Sequence, residues 1–196
     1  GEDHDGIIEL DDDVSVGVSA AEALSLEPVI DIALTPNRVD ALGVRGVARD
    51  LAAAGIGTLK PIDAAPVSGT FDSETSVAMR LSGDTAHLCQ HFVGRTIKGI
   101  KNSESPQWLK DRLTAVGLRP VSAVVDITQY INIDLGRPLH AFDTAKLSGD
   151  VGPRLASDGE KITALNGNDY TLTDAMLVIS DDVSAQAIAG VMGGES

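Results

Sequence analysis

The sequence holds a single cysteine, Cys89, in 196 residues. One thiol excludes a disulfide framework and cannot complete a Cys-His zinc set, and no motif frames it as a nucleophile. A reducing, cytosolic setting fits this usage. Long apolar runs are missing too: the stretch from Ala185 to Met192, with Gln186 inside it, falls far short of the roughly 18 to 20 residues that a membrane helix needs. The start, Gly1-Glu2-Asp3-His4-Asp5, has neither the basic end nor the apolar run of a secretory signal. Positive charge is scarce, 15 Lys and Arg against 29 Asp and Glu for a net −14, which argues against a generic basic nucleic-acid binder. With 43% hydrophobic and only 22% charged residues, the chain can bury a core, as one domain or two small ones, and is too apolar for a disordered segment.

Several catalytic signatures are also absent. There is no Gly-x-x-x-x-Gly-Lys-Ser/Thr phosphate loop, no Gly-x-Gly-x-x-Gly after a strand, no His-Glu-x-x-His and no nucleophile elbow. The four histidines, His4, His87, His91 and His140, are scattered. His87 and His91 would share a face if helical, but Asp84 is the only nearby third ligand, so no metal site is expected. Asp11-Asp12-Asp13 lacks the alternating ligands and closing Glu of a calcium loop and reads as a solvated acidic turn.

What is present is organised. Every charged residue among positions 1–31 is acidic, whereas between Arg95 and Arg119 six cations face only Glu104 and Asp111. A short strand is expected at Ile7 to Leu10, a helical turn after the Ser19-Ala20-Ala21-Glu22 capping pattern, and a strand at the alternating Ile30, Ile32 and Leu34. Val44, Val47, Leu51 and Ala54 mark a helix over 41–54, with Asp40 placed to cap it and Gly55 to stop it. Lys60 to Glu74 is aperiodic and rich in Pro, Ser and Gly, which puts a linker and a domain boundary near residue 65. Strands are expected at Val77 to Leu81 and Phe92 to Ile97. A helix should open at Ser105-Pro106, bury Leu109, Leu113 and Val116 on one face, and stop at Gly117. Val121 to Leu135 is β-branched, yet its apolar residues keep helical spacing, so a helix is predicted. From Gly152 onward hairpins are expected: Ile162 to Leu165, the Asn166-Gly167 turn, Tyr170 to Leu172, Met176 to Ser180, the Asp181-Asp182 turn, and Ala185 to Val191. The abrupt ends of the chain are those expected of a segment cut from a longer protein.

The richest stretch lies between Gly117 and Asp143, where Arg119, Asp126, His140 and Asp143 interrupt an otherwise apolar run. Buried charge requires partners. One reading is a structural network, Arg119 with Asp126 for example. The other is a pocket rim, with Arg119 donating to a carbonyl or phosphate and His140 orienting or carrying a proton. Gly190-Val191-Met192-Gly193-Gly194 is either a tight turn or a place where backbone approaches a ligand.

Three runs carry a resemblance: LTPNRVDALGVRGVARDLAA from Leu34 to Ala53, GLRPVSAVVDITQYINIDLGRPLHAFD from Gly117 to Asp143, and AIAGVMGGE from Ala187 to Glu195. In this order they resemble the beta subunit family of bacterial phenylalanyl-tRNA synthetases. The resemblance implies an α+β fold, helices on a mixed or antiparallel sheet in two layers, preceded by a small α/β piece. Residues 1–65 would be the end of the family's first beta-subunit domain. Residues 66–196 would be most of its editing domain, the third and fourth modules, truncated at the C-terminal end. The family's enzyme is a cytoplasmic α2β2 ligase of protein biosynthesis that joins phenylalanine to tRNA(Phe) with ATP and Mg2+. That active site is in the alpha subunit, so no cofactor is expected in this segment. The beta-subunit pocket hydrolyses tyrosine wrongly esterified to tRNA(Phe), because one apolar pocket rejects an added hydroxyl poorly.

Carried over residue by residue, Arg119 would contact the terminal adenosine or the ester end. His140 would orient the substrate or a water, and Gly193 would leave room for the substrate. The family's acid that reads the tyrosyl hydroxyl and its Thr-x-Ala wall fall beyond Ser196, so these 196 residues alone should hydrolyse weakly or not at all. Gln129 stands where the family's run has Asn, a departure that leaves the local hydrogen bonding open, although the longer amide offers the same donor and acceptor. The competing implication is a non-catalytic scaffold that packs on the alpha subunit and positions tRNA.

Overall fold

A computed structural model describes residues 7, 9, 10, 12–24, 26 and 28–195. Contacts divide the chain into two compact units, one made of Gly1–Ile56 and Asn102–Arg137, the other of Gly57–Lys101 and Pro138–Ser196. Each is built from two separate stretches of sequence. The helices longer than two turns lie in the first unit, and the named strands of the described residues lie in the second, giving an α+β fold with antiparallel sheet.

In the first unit, α1 (Ala20–Ala23) is the expected turn, and the Ser19 hydroxyl accepts the Glu22 N–H at 3.2 Å. Ile7, Glu9 and Leu10 form no strand, and Ile8 and Asp11 lie outside the described residues. Ile30, Ile32 and Leu34 form no strand either: the alternation is there, but Ile30 and Ile32 are exposed and no neighbouring strand pairs with them. The next helix starts later than its apolar spacing predicts. Val39–Ala41 is a single 3-10 turn, and α2 runs over Val44–Ala53 with Gly43, not Asp40, at its N-cap; Gly55 takes φ +77° just beyond its end. Asp40 is held instead by Arg38, which donates from Nε at 3.0 Å, and by Arg49; Arg38 also pairs with Asp50. The Arg38 guanidinium, chiefly by hydrogen bonding, holds the Asp40 carboxyl below its usual range.

The remaining helices of this unit are α3 (Gln107–Ala115) and α4 (Ala123–Leu135). Leu109 and Leu113 are buried as the spacing requires, whereas Val116 is exposed, and Gly117 ends the segment at φ +80°. Ser105 does not cap α3. Its hydroxyl donates to Asp126 at 2.5 Å, and Asp126 also accepts the Val121 N–H at 2.8 Å. Asp126 is 1% exposed, so these two bonds satisfy polar atoms that burial would otherwise leave without partners. Arg119 is not its partner. α4 closes on Gly136 at φ +64°. Its junction with α2 is backbone against backbone, since a methyl on Gly43 would meet Gly136 N at 2.7 Å; within the α2 side, one on Gly46 would meet the Asp40 carbonyl of the preceding 3-10 turn at 2.5 Å. The glycines that weaken α2 as an isolated helix are therefore the ones its packing demands.

In the second unit a four-stranded antiparallel sheet has the order β1-β4-β5-β6, from β1 (Gly152–Leu155), β4 (Leu177–Ser180), β5 (Ala185–Ile188) and β6 (Met192–Gly193). A hairpin of β2 (Lys161–Thr163) and β3 (Asp169–Thr171) turns at Asn166-Gly167, with Gly167 at φ +76°. Strands β2 to β5 fall close to where alternation and turn signals put them, but β5 ends at Ile188 instead of Val191, and β1 and β6 have no counterpart in the expected strands. Ala156, Ile162, Leu172, Val178 and Ala185 form the core. Val77 to Leu81 is only partly strand-like: it lies along β1, with Ala78 N–H on the Val151 carbonyl at 3.0 Å and Arg80 N–H on the Pro153 carbonyl at 3.1 Å, but forms a single bridge at Val77. Phe92 to Ile97 forms no strand. The polar piece before it is a 3-10 turn over Gly83–Leu88, after which Cys89 is extended, so His87 and His91 do not share a helix.

Candidate functional site

The expected site residues divide between the two units. Arg119 belongs to the first, on the connection between α3 and α4, where it is exposed. His140 and Gly193 belong to the second, and there they meet. The approach is close enough that a methyl on Gly193 would lie 2.5 Å from His140 Cε1, 3.1 Å from Nε2 and 3.0 Å from Leu165 Cδ1. The space a side chain would take at Gly193 is thus filled by the imidazole, which seats the ring on bare backbone.

Local structure explains why the two meet. His140 lies in the irregular segment after α4, together with Phe142 two residues on. The two rings pack at 4.6 Å between centroids, inclined at 63°. Gly193 is in β6, whose hydrogen bonds tie it to both neighbours. Leu165 N–H donates to the Gly193 carbonyl at 2.9 Å, Gly194 N–H to the Gln186 carbonyl at 2.8 Å, and Glu195 N–H to the Thr163 carbonyl at 3.0 Å. The glycine run therefore has two roles: Gly190, at φ +72°, makes the turn from β5, and Gly193 and Gly194 allow close approach. Protein around the His140 ring disfavours the imidazolium and lowers its pKa below the usual 6.5, although one edge stays open to solvent. A neutral imidazole both accepts and donates a hydrogen bond.

Phe142 and Leu165 are site neighbours that sequence reading missed. The signal for Phe142 was its two-residue spacing from His140; for Leu165 there was none, since its contact depends on how the β2–β3 hairpin meets β6.

Two polar anchors hold the sheet of this unit. Arg154 donates twice to Glu160, at 2.8 and 2.6 Å, and Glu160 also accepts the N–H groups of Ser157 and Ala185. Arg154, foremost among these, holds the Glu160 carboxyl down at about 2. Asp181, almost wholly buried, accepts N–H groups from Ser148, Val183 and Ser184 at 2.8 to 2.9 Å. Burial opposes its ionisation, but these bonds outweigh it and its pKa is lowered. An open cleft of about 370 Å³ lies against the β2–β5 side of this unit, lined by Lys161, Ile162, Thr163, Ser184, Ala185 and Glu195. It does not include His140.

Among the described residues no three His, Cys, Asp or Glu side chains are grouped to hold a metal ion, and no helix is long and apolar enough to cross a membrane.

Comparison with known proteins agrees with this architecture. The B3/4 domain profile matches residues 88–196. The chain is 55% identical over 195 residues to the phenylalanine--tRNA ligase beta subunit of Paramagnetospirillum magneticum, 51% over 196 to that of Rhodospirillum rubrum, and 52% over 195 to that of Novosphingobium aromaticivorans. Each match covers 100% of this chain and 24% of the relative, so the chain spans about a quarter of the length of these relatives. With a profile match over more than half its length and these relatives along all of it, the chain belongs to the B3/4 domain family found in phenylalanine--tRNA ligase beta subunits.

Proposed function

We propose that this chain is the editing part of a phenylalanine–tRNA ligase beta subunit, and that His140 and Gly193 help to hydrolyse tyrosine wrongly esterified to tRNA(Phe). The observation that supports it most is the close seating of the His140 imidazole on Gly193, where burial lowers its pKa and so favours the form whose nitrogen can accept a hydrogen bond from water. In this reading the water oxygen attacks the ester carbonyl carbon, the bond from that carbon to the ribose oxygen breaks, and the water's proton passes to the leaving ribose oxygen. His140 orients the water and relays that proton; no covalent nucleophile takes part. Arg119 is assigned separately, on the resemblance alone, as the donor to the terminal adenosine or ester end.

The parent enzyme acts with an alpha subunit, as an α2β2 assembly in the cytoplasm. There ATP and Mg2+ serve the charging reaction in the alpha subunit. The side chains gathered around His140 do not form a metal-ligand set, and no step assigned to them passes through a metal. The sequence boundary near residue 65 belongs to the same proposal, as the junction of the parent's first domain with its editing modules.

Hydrolysis of Tyr-tRNA(Phe), with Phe-tRNA(Phe) as control, by the full αβ assembly tests the reading. His140→Ala should slow tyrosyl hydrolysis about 100-fold, the scale of a positioned proton carrier, with phenylalanine charging intact. Arg119→Ala, measured alongside, should also lose tyrosyl hydrolysis selectively. Equal hydrolysis by a variant and the native assembly would return that residue to a structural role.

A further inference from the structure

On the first unit, exposed Trp108 and Arg112 form a cluster with the half-buried ring of Tyr130. Trp108 and Arg112 are four residues apart on α3 and so share a face, and Tyr130 comes from α4. The Trp108 and Tyr130 rings meet at 5.7 Å, inclined at 89°. The Arg112 guanidinium lies 5.7 Å from the Trp108 ring and 6.0 Å from the Tyr130 ring, and donates to the Tyr130 hydroxyl at 2.9 Å. Among the described residues Arg112 forms no ion pair with a carboxylate, although the chain carries a net −14. The two nearby acids are engaged elsewhere, Glu104 by Lys110 at 2.7 Å and Asp111 by Gln107 at 2.7 Å. Trp108, the only tryptophan of the chain, is 54% exposed. Packing against Tyr130 and Arg112 thus positions the indole and still leaves more than half of the residue's surface in water.

From this arrangement we infer that Trp108 and Arg112 form a contact for an unpaired nucleotide of the tRNA, the indole stacking on the base and the guanidinium pairing with its phosphate. Base stacking asks only for an accessible aromatic surface held in place, and a phosphate asks for a cation with donors to spare. Both are present here on a chain whose overall charge repels nucleic acid. That confines attraction to local cations such as Arg112, whose nearest acids in sequence, Glu104 and Asp111, are bonded to Lys110 and Gln107. The inference rests on the reading that the parent protein handles tRNA, but not on hydrolysis at His140.

Uncharged tRNA(Phe), which carries no ester, is therefore the probe, with its affinity for the full αβ assembly measured across a salt series. Trp108→Ala should weaken binding about tenfold, within the range measured for loss of one stacked base, and Trp108→Phe should restore most of it. Arg112→Gln should lower the salt slope by about one, as expected for one lost phosphate contact. Unchanged affinity in Trp108→Ala overturns the inference. So does a Trp108→Ala variant that binds tRNA normally but loses its alpha subunit in sedimentation, since the cluster would then be a protein interface. A native assembly that binds no tRNA overturns this contact and the proposed function together, whereas failure of the tyrosyl hydrolysis test alone leaves the contact standing.

Discussion

At Gly193, a single added methyl would lie 2.5 Å from the His140 ring, closer than carbon atoms approach without displacement. Gly193→Ala should therefore unseat the imidazole and slow tyrosyl hydrolysis about as much as His140→Ala. The protonation of His140 gives a second prediction. Burial lowers its pKa, and the proposed role uses the neutral ring, so hydrolysis should rise with pH and level off with a midpoint below 6.5; a pH–rate profile reads this directly. The same shift bears on stability. The unfolded chain takes up this proton more readily, so the contribution of His140 is complete above its ordinary pKa and erodes as pH falls through and below it. Glu160 has the opposite charge but the same acid sensitivity: its pKa is about 2 against an ordinary 4.5, so the stability it adds is present above 4.5 and lost as pH falls toward 2. Glu160→Gln should cost about 2 kcal/mol in urea unfolding near neutral pH, since it leaves the partly buried Arg154 without its carboxylate. His140 and Gly193 each stood out in the sequence, one in an apolar run and the other in a glycine run, but only the resemblance joined them, because neither spacing nor composition brings residues so far apart together. The Arg119–Asp126 pair offered by charge alone does not form. Buried Asp126 takes a serine hydroxyl and a backbone N–H instead.

Among the elements, those readable in advance have local causes. α3 has a proline at its start and a glycine at its stop, and α4 keeps helical spacing through a β-branched run, which decided against a strand although propensity favoured one. The hairpins after Gly152 are marked by their turns. The failures share a different cause: strands require partners, and neither Ile30 to Leu34 nor Phe92 to Ile97 has one. The start of α2 was misplaced because Asp40 has the right chemistry for a cap but is engaged by Arg38 and Arg49. Helix packing gives a sharp prediction here. Gly136 is left-handed at φ +64° and lies against the backbone of Leu42. Gly136→Ala should combine the left-handed penalty of about 1 kcal/mol with the loss of the α2–α4 contact, destabilising the protein by roughly 2 kcal/mol or more in denaturant. Gly159→Ala is the control: its φ is +78°, but a methyl there meets nothing within 4 Å, so only the backbone penalty should appear.

At the scale of the whole molecule, each compact unit joins two distant stretches of chain, an organisation no linear reading for linkers can reveal. Composition alone suggests a linker near residue 65, whereas the grouping of α2 with α4 arises from glycines that allow backbone contact. Removing residues 1–56 should therefore expose α4: its amide protons should exchange faster, while those of β4 and β5 keep their protection, as read by hydrogen exchange of the two chains. The central claim is that a bare backbone position and a neutral histidine make a working hydrolytic site. Its most direct test is single-turnover hydrolysis of Tyr-tRNA(Phe) by the full αβ assembly carrying Gly193 or Gly193→Ala, with phenylalanine charging measured on the same samples. The account predicts unchanged charging and tyrosyl hydrolysis slowed about 100-fold; hydrolysis at the native rate with Ala at this position would contradict it.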